Sequence, residues 1–241
     1  MFEEVYRTNF ELEDKYWWFV ARNQIVLHIT NKITNLMEGD CVLDFGCGTG
    51  GFAFLLSKKY DVICLDPSPI AIDYCRKRGL NFVYQSTIED FAPNDYQIKG
   101  IFALDVIEHI EDDYQTLIKL HSILDSSGWL ILTVPAFMWL WSNHDIIHMH
   151  KRRYTKKQLK ELLEKCGFDV RFISYFNFFL FIPAVIKRLM KFNGKKDTIQ
   201  PVDPVPESLN KIFTNIFLLE KKVLTKFKFP FGLSLIAIAK K

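Results

Sequence analysis

A strand that ends in an acid and then runs into a glycine loop is the first feature of this sequence that could do chemistry. Residues 42–51 read VLDFGCGTGG, with the acid at Asp44 and glycines at Gly46, Gly48 and Gly51. Glycine tolerates positive φ and lets the backbone approach a ligand closely. Because residues 52–59 are predicted to form a helix, its unpaired N–H groups would face that ligand. The loop is typical of a nucleotide-cofactor site, although dinucleotide-binding enzymes share the G-x-G-x-x-G spacing.

A second acid follows at the spacing expected for a ribose contact. Residues 61–65 predict another strand, which Asp66 closes. In nucleotide-binding α/β folds, an acid about 20 residues beyond the first glycine accepts hydrogen bonds from ribose hydroxyls. Ser68 and Pro69 suit the N-cap and first turn of a helix that Gly79 ends. Thr155 and Gln158 predict a capping box for a later helix that Gly167 ends.

The string LDFGCGTG resembles motif I of the class I methyltransferases, which use S-adenosylmethionine and release S-adenosylhomocysteine. Asp44 favours this family because dinucleotide-binding strands usually carry an apolar residue at that position. The resemblance implies that the acid and the loop hold the methionine half of the cofactor. The implied cofactor-binding residues are Arg22, Asp44, Gly46, Cys47, Gly48, Gly50, Asp66, Pro67, Thr87, Ile88 and Asp105. A nicotinamide-dependent oxidoreductase and a non-catalytic cofactor-binding subunit remain alternatives.

The segments after the third and fourth predicted strands resemble further regions of this family. Thr87 and Ile88 lie where the family reads the edge of the adenine and covers its face. Asp105 begins the region that faces the transferred methyl group. Some quinone O-methyltransferases hold a divalent cation with a similar E-x-x-E-H pattern, which Asp105, Glu108 and His109 match only in part. We therefore expect no metal, and Glu108 and His109 are predicted to cap the next helix.

A loop rich in histidine and arginine, residues 139–155, is the candidate acceptor site. Histidine can take a proton near neutral pH, and the arginine fork suits oxyanions. We predict His144 or His109 as the base. The predicted acceptor-binding residues are Trp17, His150, Arg152 and Arg153. By residue type, a metal could instead bind at His144, Asp145, His148 and His150, but this spacing matches no closed zinc pattern.

The N-terminal segment also gains roles from the resemblance. By analogy, Arg22 pairs with the carboxylate of the cofactor, and Trp17 or Trp18 lines the sulfonium site, where an aromatic face favours a cation. Alternatively, these residues only anchor an N-terminal helix. The reaction implied is a nucleophilic displacement in which the protein supplies alignment and desolvation. We predict O-methylation of a glycan, lipid or quinone-like acceptor, with N- or C-methylation of a soluble metabolite as the alternative.

The resemblance implies an α/β fold: a Rossmann-like sheet of seven strands, mostly parallel, with an antiparallel last strand and a helical insertion before it. A chain of 241 residues can bury one sizeable core. We expect a single domain over 1–241, made of a helical cap (1–38), a cofactor-binding core (39–175), a helical insertion or lid (176–232) and the last strand (233–241). The strands are predicted at 42–44, 61–65, 81–85, 100–104, 128–134, 168–175 and 233–239.

Charge is distributed unevenly along the chain. Residues 1–145 carry 11 Lys and Arg and 21 Asp and Glu, a net charge of −10, whereas residues 146–241 carry 20 and 7, a net charge of +13. A basic region attracts anions. The candidate anions are a membrane surface, a phosphorylated lipid carrier and nucleic acid, and the alternative is that the lysines lie on solvated helix faces. Besides a small-molecule, lipid or glycan acceptor, we expect contact with an anionic membrane surface and no nucleic-acid partner.

The apolar run 176–186 is too short for a bilayer, which needs about 20 residues, but a basic segment follows it and the pair could lie in the membrane interface. Residues 193–206, with three prolines, predict a linker, and 207–226 a second amphipathic helix. The five cysteines show no C-x-x-C pair and the N-terminus shows no signal peptide. These features predict a cytoplasmic protein, peripheral at most to the inner face of the membrane.

Overall fold

The computed structural model describes residues 3–93, 96–191 and 205–241, the last five residues of the second range by their backbone alone. The strands are β1 (Cys41–Phe45), β2 (Asp61–Asp66), β3 (Phe82–Gln85), β4 (Ile98–Leu104), β5 (Leu124–Pro135), β6 (Asp169–Phe176) and β7 (Ser234–Lys240). The helices are α1 (Glu3–Leu12), α2 (Trp17–Ile33), α3 (Gly51–Leu56), α4 (Pro69–Lys77), α5 (Asp113–Ile123), α6 (Asn143–Ile147), α7 (Lys156–Lys165), α8 (Phe181–Lys191) and α9 (Glu207–Val223).

The described strands form one seven-stranded sheet in the order β3-β2-β1-β4-β5-β7-β6. Strand β7 runs antiparallel to both of its neighbours, β5 and β6, and the other pairs are parallel. This confirms the predicted fold class. In the register, Asp44 of β1 lies beside Cys64 of β2 and Phe102 of β4. The carboxyl ends of these three strands therefore meet at one edge of the sheet, where α/β folds bind ligands.

The core lies on both faces of the sheet. Central strand residues such as Leu43, Ile101 and Ile131 are fully buried, and α2 buries Ile25 and Ile29. Helices on both faces explain why the central strands read as nearly continuous apolar runs rather than as alternating patterns. Such a core fixes the strand ends, and with them the loops that carry the polar residues.

Helix caps predicted from the sequence are present. The hydroxyl of Ser68 accepts a hydrogen bond from the N–H of Ala71, with Pro69 in the first turn of α4. Thr155 and Gln158 form a reciprocal capping box at the start of α7. The prediction that Glu108 and His109 cap α5 was wrong, because the Asp112 side chain does so by accepting from the N–H of Gln115.

Several predicted boundaries shift. Helix α3 ends at Leu56 instead of residue 59, and β5 begins at Leu124 instead of residue 128 because α5 leads directly into it. Helices α8 and α9 form the predicted insertion before β7. Most of the predicted linker 193–206 lies outside the described residues. Within the described part of the chain, no helix combines the length and the apolar character needed to cross a membrane.

The insertion is attached to the N-terminal helices through Asn210. Its side-chain oxygen accepts a hydrogen bond from the N–H of Trp17 at 2.8 Å, and its amide nitrogen donates to the carbonyl of Lys15 at 2.8 Å. Trp17 also packs against Phe213 and Phe217 of α9, with ring centroids 5.7 and 6.0 Å away. The cap and the insertion, which are distant in sequence, thus form one layer.

A buried glutamate fastens the start of α8 to α9. Glu220 is fully buried, and its Oε1 accepts hydrogen bonds from the N–H groups of Phe178 at 2.7 Å and Phe179 at 3.1 Å. Its Oε2 meets no partner among the described residues. Burial raises the pKa of Glu220 to about 7, from the 4.5 of a solvent-exposed glutamate.

This pKa makes the stability of the protein depend on pH. The folded state keeps the Glu220 proton up to about pH 7, whereas the unfolded chain releases it near 4.5, so the free energy of unfolding falls as pH rises through this window. Between pH 5 and pH 8, we expect Glu220 to lower the free energy of unfolding by up to about 3 kcal/mol. Glu220→Gln keeps the acceptor oxygen and should remove most of that difference in urea unfolding. Glu207→Gln, at the exposed start of α9, is the matched control; equal pH dependence in both variants would contradict the assignment.

Candidate cofactor and acceptor site

The glycine loop between β1 and α3 is held by the neighbouring strand. The N–H of Gly46 donates to the carbonyl of Leu65 at 2.8 Å, and the N–H of Gly48 donates to Asp66 Oδ2 at 3.0 Å. Gly46 has a φ of +69°, and a Cβ there would lie 2.6 Å from Val106 Cγ2. Only glycine therefore fits at the first position of the loop, as the motif implied.

Two of the predicted cofactor acids stand at the ends of adjacent strands. Asp44 is buried at 3% exposure, which raises its pKa, and its Oδ2 has no hydrogen-bond partner in the described part of the chain. Burial also raises the pKa of Asp66, although the N–H groups of Ser68 and Gly48 oppose the shift. Asp66 therefore holds the glycine loop in addition to lying at the predicted ribose position. Asp44 contributes a buried oxygen without a hydrogen-bond partner among the described residues.

Arg22 and Asp105, both predicted to touch the cofactor, bind each other. Arg22 Nη1 lies 2.6 Å from Asp105 Oδ2, and the hydroxyl of Thr133 donates to Asp105 Oδ1 at 3.0 Å. Asp105 follows β4 in the left-handed region, with a φ of +57°. The pair joins α2 to the edge of the sheet. Arg22 is therefore already engaged at the position where the resemblance assigned it to the cofactor's carboxylate.

The other residues predicted to bind the cofactor lie in different environments. The thiol of Cys47 points into the core, 3.6 Å from Cys75 Sγ, so only the Cys47 backbone faces the loop. Ile88 is 2% exposed, and Thr87 Oγ1 bonds Asp90 at 3.0 Å. Pro67 directly follows Asp66 at the end of β2, and Gly50 is the left-handed N-cap of α3, with a φ of +81°.

Glu13 is a residue of this site that the sequence did not reveal. It lies in the turn between α1 and α2, where its carboxylate accepts hydrogen bonds from the Thr49 hydroxyl and from the N–H of Gly51 at 3.2 Å. It also pairs with Arg78 at 2.7 Å. Burial raises the pKa of Glu13 despite these partners. These contacts of Glu13, called the Glu13 latch below, attach the N-terminal cap to the positive N-terminus of α3. No local sequence motif identifies Glu13.

We expect Glu13→Gln to loosen this latch. The amide keeps the size of the side chain but loses the charge that Arg78 and the N-terminus of α3 favour, so a cost of about 1 kcal/mol is reasonable. S-adenosylhomocysteine binding should weaken by about 3- to 10-fold in calorimetry, and proteolysis within α1 should accelerate. Glu11→Gln, in the exposed last turn of α1, is the control. If affinity and cleavage rate both match those of the control, the latch has no role at the site.

The predicted acceptor loop is organised around one buried acid, Asp145. Arg153 binds both of its oxygens, with Nε 2.7 Å from Oδ1 and Nη2 2.9 Å from Oδ2, and donates its third nitrogen to the carbonyl of Ala136. Burial opposes ionisation of Asp145, but hydrogen bonds from His150 and Arg153 hold its pKa below the usual range. Arg152 binds the Glu111 carbonyl at 2.6 Å and Asp113 at 3.0 Å. Both arginines therefore have partners within the protein, and their contact with an acceptor oxyanion stays a prediction.

Four histidines converge beside this ion pair. The ring centroids of His109 and His150 are 4.7 Å apart, and those of His144 and His148 are 4.2 Å apart. Burial lowers the pKa of His109 to about 4 and that of His144 to about 3. The two predicted bases are therefore neutral but weakly basic at neutral pH, whereas His150 Nδ1 lies 2.9 Å from the Asp145 carboxylate.

Trp17 and Trp18 lie under the insertion. Trp18 packs against Phe176 and Phe217, at centroid distances of 6.1 and 5.4 Å. The Trp17 Nε1 is buried without a hydrogen-bond partner among the described residues. This packing agrees with the alternative stated from the sequence, that Trp17 and Trp18 anchor α2. The acceptor role of Trp17 stays a prediction.

The chain resembles known proteins over most of its length. The family model for a methyltransferase domain matches residues 21–171. A probable S-adenosylmethionine-dependent methyltransferase of Mycobacterium tuberculosis is 27% identical over 176 residues, which cover 71% of this chain and 63% of that protein. A ubiquinone biosynthesis O-methyltransferase of Rickettsia canadensis is 29% identical over 143 residues, or 52% of this chain and 60% of that protein. The matches thus span less than two thirds of these relatives.

The fold also matches solved structures. The crystal structure of a possible histamine N-methyltransferase from Thermotoga maritima superposes with a TM-score of 0.60 at 19% identity, and the match covers 100% of both chains. At this identity the likeness shows the fold alone. It agrees with the sheet order and with the antiparallel last strand described above.

Proposed function

Since the chain belongs to the methyltransferase-domain family, we propose that it transfers a methyl group from S-adenosylmethionine to an acceptor at the carboxyl edge of its sheet. The observation that carries this proposal is the buried Asp44 oxygen without a partner among the described residues. An unsatisfied buried acceptor is costly, and a cationic ligand such as the ammonium group of S-adenosylmethionine would satisfy it. Asp66, at the end of the neighbouring strand, is left to accept from the ribose hydroxyls.

The residues of the chain supply mainly position and exclusion of water. The sulfonium of the donor already activates its methyl group, so rate comes from aligning the acceptor with that carbon. The Glu13 latch and the Arg22–Asp105 pair hold the N-terminal cap against the edge of the sheet. The histidine cluster lies beyond Asp105 on the same side and is the proposed acceptor end of the site.

For the acceptor, we propose O-methylation of a glycan, a lipid or a quinone-like molecule. The neutral imidazoles of His109 and His144 at this end of the site can accept a hydrogen bond from an acceptor hydroxyl. Phe137 stacks on Tyr175 at 4.9 Å and lies 6.3 Å from Phe181 at the start of α8. This aromatic group continues the site towards the insertion and suits an apolar acceptor. The ubiquinone O-methyltransferase relative supports the same class of acceptor.

The experiment is transfer of a labelled methyl group. Purified protein and methyl-labelled S-adenosylmethionine are incubated with a lysate of the source cells, and the label is partitioned between organic solvent, water and precipitated macromolecule. Label in the organic phase supports a lipid or quinone acceptor, whereas label confined to water or macromolecule contradicts it. Asp44→Asn is the control, since transfer that persists would come from another enzyme. Binding of S-adenosylhomocysteine without any transfer would favour a non-catalytic subunit, and binding of a nicotinamide cofactor instead would overturn the assignment.

The insertion is the proposed contact with an anionic membrane. Helix α8 exposes Ile182 and Ile186 four residues apart, and α9 exposes Ile212 and Leu219 seven residues apart, so each pair shares a helix face. Lysines on α9 add positive charge, as interfacial helices do. We expect the protein to float with vesicles of phosphatidylcholine and phosphatidylglycerol and Ile186→Asp to float less. Phe82→Asp, on the opposite edge of the sheet, is the control; wild-type protein that stays at the bottom would refute the contact.

A further inference from the structure

Glu108 is buried in an unusual way. It lies in the 3₁₀ turn Ile107–His109 that follows β4, is fully buried, and has no hydrogen-bond partner for either carboxyl oxygen among the described residues. Leaving a carboxyl group unsatisfied in the interior costs several kcal/mol, so such groups are normally paired or bound to a metal. The proposed methyl transfer makes no use of Glu108, which leaves its position unexplained.

The Asp145–His150 contact fixes which nitrogen of His150 is available. His150 Nδ1 is 2.9 Å from Asp145 Oδ1, and Asp145 is itself clamped by Arg153. An ionised carboxylate can only accept, so Nδ1 carries the hydrogen, and Nε2 is the nitrogen left for a metal in the neutral ring. A carboxylate behind a histidine in this way is the arrangement that orients metal-binding imidazoles.

His109 is oriented in a similar way. One of its ring nitrogens is hydrogen-bonded to the backbone of His148. The N–H of Lys151, just after His150, donates to the carbonyl of Glu108 at 2.7 Å and ties the acceptor loop to the 3₁₀ turn. Glu108, His109 and His150, which come from two separate segments, can each place one ligand atom within 4.8 Å of the other two.

We propose that Glu108, His109 and His150 bind a divalent transition-metal ion at the acceptor end of the site. Two imidazoles and one carboxylate suit Zn²⁺ or Fe²⁺ and leave coordination positions open, whereas Mg²⁺ and Ca²⁺ prefer oxygen ligands alone. Asp105 is outside this set because Arg22 and Thr133 already bind its two oxygens. His150 supplies the third ligand from a loop 42 residues beyond Glu108.

The role of this ion rests on the proposed function. An acceptor hydroxyl bound at an open position has its pKa lowered by the cation and releases its proton to solvent. The resulting oxyanion attacks the methyl carbon and forms the new C–O bond. The methyl–sulfur bond breaks, its electron pair stays on sulfur, and S-adenosylhomocysteine leaves.

The test measures metal binding apart from activity. Full-length protein stripped with a chelator is titrated with Zn²⁺ in calorimetry and with Co²⁺ by visible absorption. We expect one ion per chain, and Glu108→Gln and His150→Gln should each weaken binding by about 10-fold or more. His28→Gln, a substitution of the same type on α2, is the control and should bind as the wild type does. The Co²⁺ spectrum of the wild type needs no variant and so does not depend on the folding of any substituted protein.

Two results would overturn this inference. One is the absence of saturable binding, or affinities in Glu108→Gln and His150→Gln equal to that of the control. The other is an intense sulfur-to-cobalt absorption band, which would place the ion among the buried thiols of Cys47, Cys64 and Cys75. S-adenosylhomocysteine binding is measured on the same samples. If the wild type does not bind S-adenosylhomocysteine, the proposed function is refuted. If it binds S-adenosylhomocysteine but no metal, only the metal site is refuted.

Discussion

Asp66→Ala is expected to weaken S-adenosylhomocysteine binding by about 30- to 100-fold. The substitution removes the acceptor for the N–H groups of Gly48 at 3.0 Å and Ser68 at 2.9 Å, so the glycine loop loses its tie to β2. It also removes the proposed ribose contact. Hydrogen bonds to charged groups contribute about 1.5–3 kcal/mol each, and about 2–3 kcal/mol of lost binding free energy corresponds to this range. Calorimetric titration of the purified variant measures it directly.

Asp61→Ala is the matched control for this prediction. Asp61 is exposed at the opposite end of the same strand, so the substitution changes the net charge equally without touching the loop. Its affinity should equal that of the wild type. Asp44→Ala should behave like Asp66→Ala, because the proposed ammonium contact is lost. Wild-type affinity in both the Asp44 and the Asp66 variants, with the fold intact by circular dichroism, would place the cofactor elsewhere.

Arg153→Met is expected to give the largest loss of stability. Its ion pair with Asp145 is almost completely buried, with side-chain exposures of 3% and 0%. Removing one partner of such a pair leaves an uncompensated buried charge and costs about 3–5 kcal/mol. For a chain of this size the midpoint of thermal unfolding should fall by about 6–20 °C. Differential scanning calorimetry measures this shift.

A surface pair supplies the comparison. Arg171 and Asp169 lie 2.6 Å apart with more than half of each side chain exposed, so Arg171→Met should shift the midpoint by about 2 °C or less. The double variant Arg153→Met with Asp145→Leu should recover part of the loss, because neither charge is then left alone. Equal midpoints for Arg153→Met and Arg171→Met would show that the buried pair does not hold the acceptor loop.

Features set by neighbouring residues were predictable. The glycine loop, the Ser68 cap of α4 and the Thr155–Gln158 capping box depend on interactions within a few residues, and the structure has them where they were predicted. The sheet could be predicted because its central strands are apolar runs of recognisable length and LDFGCGTG is specific to one family. Element ends were less certain, because α5 passes into β5 without a turn residue to mark the boundary.

The side-chain contacts at the proposed acceptor end could not be predicted from neighbouring residues in the sequence. The sequence suggested that Arg152 and Arg153 face an oxyanion, but it did not reveal that the fold pairs them with Asp113 and Asp145. A side chain in a loop has many acceptable partners, and the choice among them depends on which loops the sheet brings together. Residue type and spacing therefore predicted a segment for the acceptor, but not the contacts within that segment.

The sequence by itself identified the segments of the candidate cofactor site, because the glycine loop depends on local backbone geometry and LDFGCGTG resembles the motif of one family. Only the tertiary structure decided that Glu13 latches the cap onto α3 and that Glu108 and His150 meet. These contacts join segments separated by dozens of residues. The energy that selects them comes from burying charge and apolar surface together, which depends on the whole packed fold.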